Sequence, residues 1–154
     1  NVNILEDFGV NITSFLVSGQ PYTKNSDPAS FGGVGYAGSI NGARLPWNFT
    51  TDLNVQKRFP ITISSESNKK MWFNAYFRVQ NLFNTKNIVN VYKFSNDAEN
   101  DGYLQSSFGQ DRIKGVQDTG RDVEAFLDAY GWRLLAPGNY TLPRRIYLGV
   151  ILDF

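Results

Sequence analysis

Residues 144–154 read RRIYLGVILDF, and this stretch decides the fold of the chain. Every second residue counted back from position 154 is apolar, which gives the series Phe154, Leu152, Val150, Leu148 and Ile146. The intervening residues are mixed and include the charged side chains of Arg145 and Asp153. An alternation of period two is typical of a β-strand whose two faces meet different surroundings. A strand that ends on an apolar side chain fits the last strand of a transmembrane β-barrel, because that strand must close the sheet and face lipid.

Three further segments alternate in the same way. Residues 47–59 place mostly aromatic and aliphatic side chains on one face and polar side chains at every position of the other. Residues 71–83 alternate similarly, and residues 8–18 do so more weakly, because Phe15 and Val17 fall on the polar side. Each segment is comparable in length to the ~9–11 residues that a tilted transmembrane strand needs. The sequence therefore predicts an all-β fold with four long antiparallel strands of a transmembrane β-barrel.

The alternation assigns the strand residues to lipid or to the barrel lumen. The residues predicted to face lipid are Phe49, Leu53, Val55, Phe73, Phe77, Val79, Leu148 and Val150. The charged residues predicted to face the lumen are Asp52, Arg58, Arg78 and Asp153. These charges either line a substrate path or form a network of ion pairs and hydrogen bonds that holds the wall to a plug, and we favour the network.

The connections between the predicted strands differ strongly in length. Residues 60–70 form a short polar turn, whereas residues 19–46 and 95–143 are long and rich in turn-forming residues. Short turns at one end and long loops at the other are typical of outer-membrane barrels, whose long loops are extracellular. This asymmetry favours the barrel over a soluble antiparallel sheet with one face on a core.

The longest connection contains two local patterns. Thr119 and Asp122 resemble a capping box and are followed by apolar residues at helical spacing, which predicts a short amphipathic helix at about residues 121–130. Residues 88–94 are rich in strand-forming side chains, and we expect them to extend the third strand.

Composition excludes several functional classes. The chain has 154 residues with no cysteine and no histidine, so disulfides, thiolate chemistry and histidine-based catalysis are excluded. A net charge of +1 gives no electrostatic footprint for nucleic acid. No spacing of carboxylates indicates an acid–base pair, so we predict neither an enzyme nor a cofactor. Because the chain begins at Asn1 without a signal peptide, we expect an internal or processed start.

One acidic segment is a candidate metal site. Residues 95–102 read SNDAENDG and contain Asp97, Glu99 and Asp101. Carboxylate oxygens are ligands that Ca²⁺ prefers, but the spacing differs from that of an EF-hand loop. We therefore favour a solvated turn and keep a calcium site as the weaker alternative.

A family resemblance rests on several short segments. Residues 79–87 read VQNLFNTKN, which resembles a strand end near the C-terminus of TonB-dependent outer-membrane receptors. Residues 43–53 (ARLPWNFTTDL), 101–104 (DGYL) and 140–145 (YTLPRR) are similar to the versions found in Bacteroidota. The resemblance covers the whole chain, and the order of these segments together with Phe154 makes it fairly specific.

The resemblance implies that residues 1–154 are the C-terminal part of a roughly 22-stranded barrel filled by a plug domain. The implied function is energised uptake of a nutrient across the outer membrane. The implied partners are the lipid bilayer, the plug and remaining strands, the TonB energy-coupling complex, the barrel-assembly machinery and a surface lipoprotein lid. The implied assembly signal consists of Leu148, Val150, Leu152 and Phe154. No ligand-binding residue carries over, because ligand sites in this family differ with the substrate.

Three alternatives stand beside this hypothesis. A self-contained eight-stranded barrel fits the length but needs four more strands from the two long connections. A barrel with a structural or secretion-associated role shares the fold and moves no nutrient. A soluble β-sandwich requires turns every ~8–12 residues, which the sequence does not have.

The proposed assembly signal gives a first testable prediction. We expect Phe154→Ala to lower the amount of assembled protein more than Phe49→Ala does. The first change removes part of the signal as well as a lipid contact, whereas the second removes a lipid contact alone. The amount of folded protein in outer-membrane fractions measures the difference, and equal amounts of the two variants would count against a special role for the terminus.

Overall fold

A computed structural model describes residues 7–28, 35–62 and 70–153, so Phe154 lies outside the described residues. In chain order the strands are β1 (Phe8–Val17), β2 (Pro21–Tyr22), β3 (Lys24–Asn25), β4 (Tyr36–Ala37), β5 (Ala43–Arg44), β6 (Asn48–Thr62), β7 (Lys70–Gln80) and β8 (Arg145–Asp153). Between β7 and β8 the chain forms the helices α1 (Ser107–Asp118) and α2 (Val123–Arg133) and a 3-10 turn at Pro137–Asn139. The chain divides into two compact units: one holds β1, β6, β7 and β8, and the other holds most of the two long connections.

Four long strands form one sheet in the order β1-β6-β7-β8. Its strands are antiparallel, and the four segments predicted from alternation are confirmed within a few residues at their ends. Within the described residues the sheet does not close into a barrel. The short strands do not join this sheet, because β2 pairs with β5 and β3 pairs with β4.

β6 and β7 both extend into the span of residues 60–70 that was predicted as a turn, and residues 63–69 lie outside the described residues. Pro60 lies within β6 and pairs with β7. Arg58, two residues earlier, donates its backbone N–H to the Asp7 carbonyl at 3.0 Å, so the N–H that Pro60 lacks would also point to the β1 side. No hydrogen bond to β7 is lost, and proline is therefore tolerated in this strand.

The register gives the sheet one apolar face and one polar face. Val55, Phe77 and Leu148 lie side by side across β6, β7 and β8. One residue along β7, Arg78 stands between Asn54 and Tyr147 on the other face. In these three paired strands the apolar face consists of Leu53, Val55, Lys57, Phe59, Ile61, Met71, Phe73, Ala75, Phe77, Val79, Ile146, Leu148, Val150 and Leu152.

β1 extends the apolar face beyond β6. The hydroxyls of Ser14 and Thr51 lie 2.9 Å apart, and the Asp7 carbonyl accepts the Arg58 N–H. The earlier residue of β1 therefore lies opposite the later residue of β6, so the two strands are antiparallel. Because Thr51 shares the face of Leu53, Ser14 lies on that face as well. Alternation along β1 then adds the following side chains to the apolar face: Phe8, Val10, Ile12 and Leu16.

A turn built on Asn81 ends β7. The third strand was predicted to run to residue 83, but β7 ends at Gln80 because Asn81 adopts a φ of 56°. Its amide nitrogen donates to the carbonyls of Thr85 (3.0 Å) and Leu142 (3.3 Å), and its oxygen accepts the Thr85 N–H at 2.9 Å. Only 5 % of this residue is exposed. Asparagine is one of the few residues that adopt a left-handed conformation readily, because its short polar side chain bonds to nearby backbone.

The same turn connects three strands of the sheet. The backbone N–H of Asn81 donates to the Asp52 carboxylate of β6 at 2.9 Å. Asn84, with a φ of 52°, accepts the backbone N–H of Arg144 at 2.9 Å immediately before β8 begins. The two asparagines of the NLFN segment are therefore structural residues that fix the positions of β6, β7 and β8 at this end of the sheet.

The longest connection contains two helices where one was predicted. α2 begins and ends later than the predicted residues 121–130, and its N-cap is Asp122, whose carboxylate accepts two N–H groups of the first turn at 2.9 and 3.3 Å. Thr119, the predicted cap, instead ends α1 and donates its hydroxyl to a carbonyl of that helix at 2.8 Å. Gly120, with a φ of 65°, separates the two helices. The capping pattern therefore predicted correctly that a helix begins in this region, but the residue that caps it is Asp122 and not Thr119.

α1 was not predicted, because glycines interrupt its helical pattern. Gly109 and Gly115 both lie inside the helix, where glycine lowers helix propensity. Gly109 is required by packing, since a Cβ at this position would overlap the Tyr103 carbonyl.

The predicted extension of the third strand over residues 88–94 is wrong. The segment forms isolated bridges, Ile88 with Tyr140 and Tyr92 with Asp97, and no continuous strand. The Asn81 turn redirects the chain after β7, so the strand-forming side chains of this segment cannot continue the ladder.

Gly149 makes room for an aromatic ring on the polar face. It stands opposite Tyr76, and a Cβ at position 149 would overlap the ring and hydroxyl of that tyrosine. We expect Gly149→Ala to lower the free energy of unfolding by about 1–3 kcal/mol, because the ring must leave its position. Urea-induced unfolding measures the change. Gly115→Ala is the control, since a Cβ there meets nothing within 4 Å, and equal destabilisation by both changes would contradict the packing argument.

Candidate functional site

The polar face of the sheet is the candidate functional site. In the three paired strands it includes Asn54, Gln56, Arg58, Pro60, Trp72, Asn74, Tyr76, Arg78, Gln80, Arg145, Tyr147, Gly149, Ile151 and Asp153. Three cross-strand pairs each set an amide opposite an arginine: Asn54 with Arg78, Asn74 with Arg58, and Gln80 with Arg145. Guanidinium and amide groups side by side provide donors suited to carboxylate, phosphate or carbonyl oxygens. The face can therefore bind polar and anionic groups.

The charges predicted to face the lumen lie on this face, but they do not form one cluster. Arg78 and Trp72, the cross-strand partner of Asp153, are six residues apart along β7. At ~3.3 Å per residue the separation is roughly 20 Å, so no ion pair joins Arg78 to Asp153. Arg58 stacks its guanidinium over the Trp72 ring at 5.7 Å, and Asp52 binds the Asn81 turn. The charges on this face are therefore dispersed, and within the described part of the sheet no two carboxylates are paired as acid–base chemistry would need.

Three side-chain oxygens of the polar face are buried without a hydrogen-bond partner among the described residues. They are the Oδ1 atoms of Asn54 and Asn74 and the Oε1 atom of Gln80. A buried acceptor left without a partner costs ~1–3 kcal/mol. Because all three lie on one face, that face is suited to surroundings that supply donors, such as water or the N–H groups of another chain segment.

A cleft of about 300 Å³ opens on the polar face beside β1. Its lining includes Arg58, Gln56, Asn74 and Asp7. The guanidinium and the two amides can hold an anionic or amide-bearing group by hydrogen bonds.

The carboxylates of the acidic segment each have a protein partner. Asp97 accepts two backbone N–H groups of its own loop at 2.6 and 3.1 Å. Glu99 accepts the Tyr140 hydroxyl at 2.7 Å, and the buried Asp101 accepts the Tyr130 hydroxyl at 2.5 Å. In residues 7–28, 35–62 and 70–153 no group of three or more potential ligands is placed to hold a metal ion. The described acidic segment is therefore a turn in which each carboxylate accepts hydrogen bonds from the protein.

The apolar face is exposed on β1 and β8 and half-buried over most of β6 and β7. Phe49, Phe77 and Val150 keep 39, 38 and 53 % of their surface accessible, so they do not converge on a dry centre. Val79, predicted to face lipid, is buried at 3 %, although its apolar neighbours on β6 and β8 are like those of Phe77. An exposed apolar face of this extent indicates surroundings other than water.

Two residues of consequence were not singled out from the sequence. Asn81 belongs to the NLFN segment, and the known preference of asparagine for left-handed turns was the available signal. Lys57 is a charged residue on the apolar face, and the signal for it was a break in the apolar series of β6.

Comparison with known proteins gives no match: no protein-family model, no curated protein and no solved structure is similar to the chain. Of the helices in the described part of the chain, none has the length and apolar character needed to cross a membrane.

Proposed function

We propose that this chain forms consecutive transmembrane strands near the C-terminus of a TonB-dependent outer-membrane transporter that takes up a nutrient. The observation that carries the proposal is the exposed apolar face, which runs across four neighbouring strands. A sheet in water would bury such a face against a core, because exposing apolar area costs ~25 cal/mol per Å². In contact with the hydrocarbon chains of a membrane, the apolar face can stay uncovered by protein without this cost.

Two aromatic pairs bracket the apolar face and support the same proposal. Phe49 and Phe83 stack with their ring centroids 6.2 Å apart, and the centroids of Phe59 and Phe73 are 5.9 Å apart. The two pairs are separated by ~10 residues of β6, or ~33 Å of strand. With a tilt of ~40° this length spans the ~25 Å height of an outer-membrane apolar band. The pairs then coincide with the aromatic girdles of a barrel.

The topology and the polar face fit a barrel wall. The long connections from β1 to β6 and from β7 to β8 leave the sheet at the same end, because neighbouring strands are antiparallel. Long loops on one side and a short turn on the other match an extracellular and a periplasmic end. The unsatisfied acceptors of the polar face suit a lumen that holds water or a plug domain.

The edges of the sheet require further strands. β1 and β8 are edge strands, and an open edge in lipid would leave backbone N–H and C=O groups without partners. The proposal therefore includes the remaining strands of a larger barrel beside them. It also includes the partners that the resemblance implies: a plug, the TonB energy-coupling complex, the barrel-assembly machinery and a surface lipoprotein lid.

A barrel with a structural or secretion-associated role is the second candidate function. The exposed apolar face and the aromatic pairs support it equally, because they concern the membrane and not the cargo. A self-contained eight-stranded barrel is less well supported, since the described parts of the long connections add short strands that pair among themselves.

Growth on single nutrient sources separates transport from the second candidate. We expect loss of the gene to abolish growth on one nutrient class and to leave growth on the others intact. Loss of the energy coupler should give the same defect for that nutrient. A general envelope defect without nutrient dependence would support the structural role and contradict transport.

A further inference from the structure

Lys57 interrupts the apolar face. Among the described residues of β1, β6, β7 and β8, it is the one charged side chain on that face. Val55 and Phe59 precede and follow it on the face, and Ala75 stands opposite on β7. Its Nζ atom lies 5.6 Å from the centroid of the Phe59 ring. The side chain therefore runs along the face toward the end of the sheet where β6 turns into β7.

The position of Lys57 fits a membrane interface. The free-energy cost of a positive charge on a lipid face is large at the bilayer midplane and close to zero at the interface. Lysine reduces the cost further when its stem lies along apolar surface and its ammonium reaches the headgroups. Lys57 is two residues from Phe59, and the Phe59–Phe73 pair marks one interface in the proposed barrel. The ammonium group is thus placed at headgroup depth.

We infer that Lys57 binds the phosphate headgroup of an acidic phospholipid in the leaflet on the side of the β6–β7 turn. Charge complementarity carries the choice of partner, because an acidic phospholipid keeps the negative charge of its phosphate, whereas the choline of phosphatidylcholine neutralises it. Ala75 is the small residue between Phe73 and Phe77 on β7, so it leaves a notch beside the lysine stem in which an acyl chain can lie. The inference rests on the proposed membrane location of the sheet.

Lipid retention by the complete gene product tests the inference. The protein is reconstituted into vesicles of equal parts phosphatidylglycerol and phosphatidylcholine, and the most tightly retained lipids are identified by native mass spectrometry. We expect the unmodified protein to enrich phosphatidylglycerol about fivefold, the factor for one lysine at an anionic surface. Lys57→Met should remove this enrichment, and Lys57→Arg should keep it. Lys114→Met is the matched control, since it makes the same change at an exposed lysine of α1, outside the four-stranded sheet.

The outcomes separate this inference from the proposed function. If Lys57→Met inserts into the vesicles but retains phosphatidylglycerol as the unmodified protein does, the phosphate site is refuted and the membrane location stands. If Lys114→Met loses the enrichment equally, the effect follows net charge and the site is refuted as well. If the unmodified protein does not insert at all, both proposals are overturned.

Discussion

Phe77→Arg is expected to prevent most of the protein from folding into the membrane, whereas Arg78→Ala is expected to leave folding nearly intact. Phe77 lies in the middle of the apolar face, between Val55 and Leu148 on the neighbouring strands. An arginine at the bilayer midplane on the lipid face costs ~2–4 kcal/mol. Arg78 lies on the polar face, so in the proposed barrel its removal would change the charge of the lumen and not a lipid contact. The folded fraction, measured by heat-modifiable mobility in gels, compares the two variants.

The order of the two effects is the decisive outcome. Because side chains alternate between faces, a slip of the register by one residue would exchange the environments of positions 77 and 78. The reverse order would therefore show that the faces are assigned the wrong way round. Leu148→Arg gives an independent test on β8, and we expect it to behave like Phe77→Arg, since the two positions are cross-strand neighbours.

Asn81→Ala is expected to lower the free energy of unfolding by about 3–4 kcal/mol. The change removes the three side-chain hydrogen bonds to Thr85 and Leu142, each worth about 1 kcal/mol. It also places alanine at a φ of 56°, which costs about 1 kcal/mol more. Urea-induced unfolding of the folded protein in detergent measures the loss.

Asn81→Gly separates the two causes. Glycine adopts positive φ without steric cost, so this variant should lose the hydrogen bonds and avoid the backbone strain. We expect it to be less destabilised than Asn81→Ala. If both variants lower the free energy of unfolding by less than ~1 kcal/mol, the structural role of the NLFN turn is contradicted, because the three hydrogen bonds would then contribute almost nothing to stability.

Period-two alternation accounts for what could be predicted from the sequence. In residues 47–59 the division between apolar and polar positions is nearly complete, so both the strand and its faces follow from the side chains alone. The alternation alone does not show which strands are neighbours. In the structure the cross-strand register places Val55, Phe77 and Leu148 side by side on one face. The pattern is strong because a two-faced sheet demands it at every position.

Features that depend on long-range packing could not be predicted. α1 contains Gly109, which helix propensity disfavours and which the nearby Tyr103 carbonyl requires. From the sequence, Pro60 is expected in a turn. It fits into β6 because the N–H that proline lacks would point away from β7, and this direction is known only once the strands are paired. Residues 88–94 are strand-forming in composition, but the preceding Asn81 turn redirects the chain. In each case tertiary structure overrides local propensity.

Cysteine scanning along β6 tests the central claim most directly. Because the chain contains no cysteine, single cysteines can be placed from position 52 to position 59 and labelled with a fluorophore. We predict that labels at positions 53, 55 and 59, on the apolar face, are quenched by a nitroxide attached to lipid acyl chains. Labels at 54, 56 and 58 should escape this quencher. Equal quenching at odd and even positions, or access of a water-soluble quencher to the odd ones, would contradict a sheet whose apolar face meets lipid.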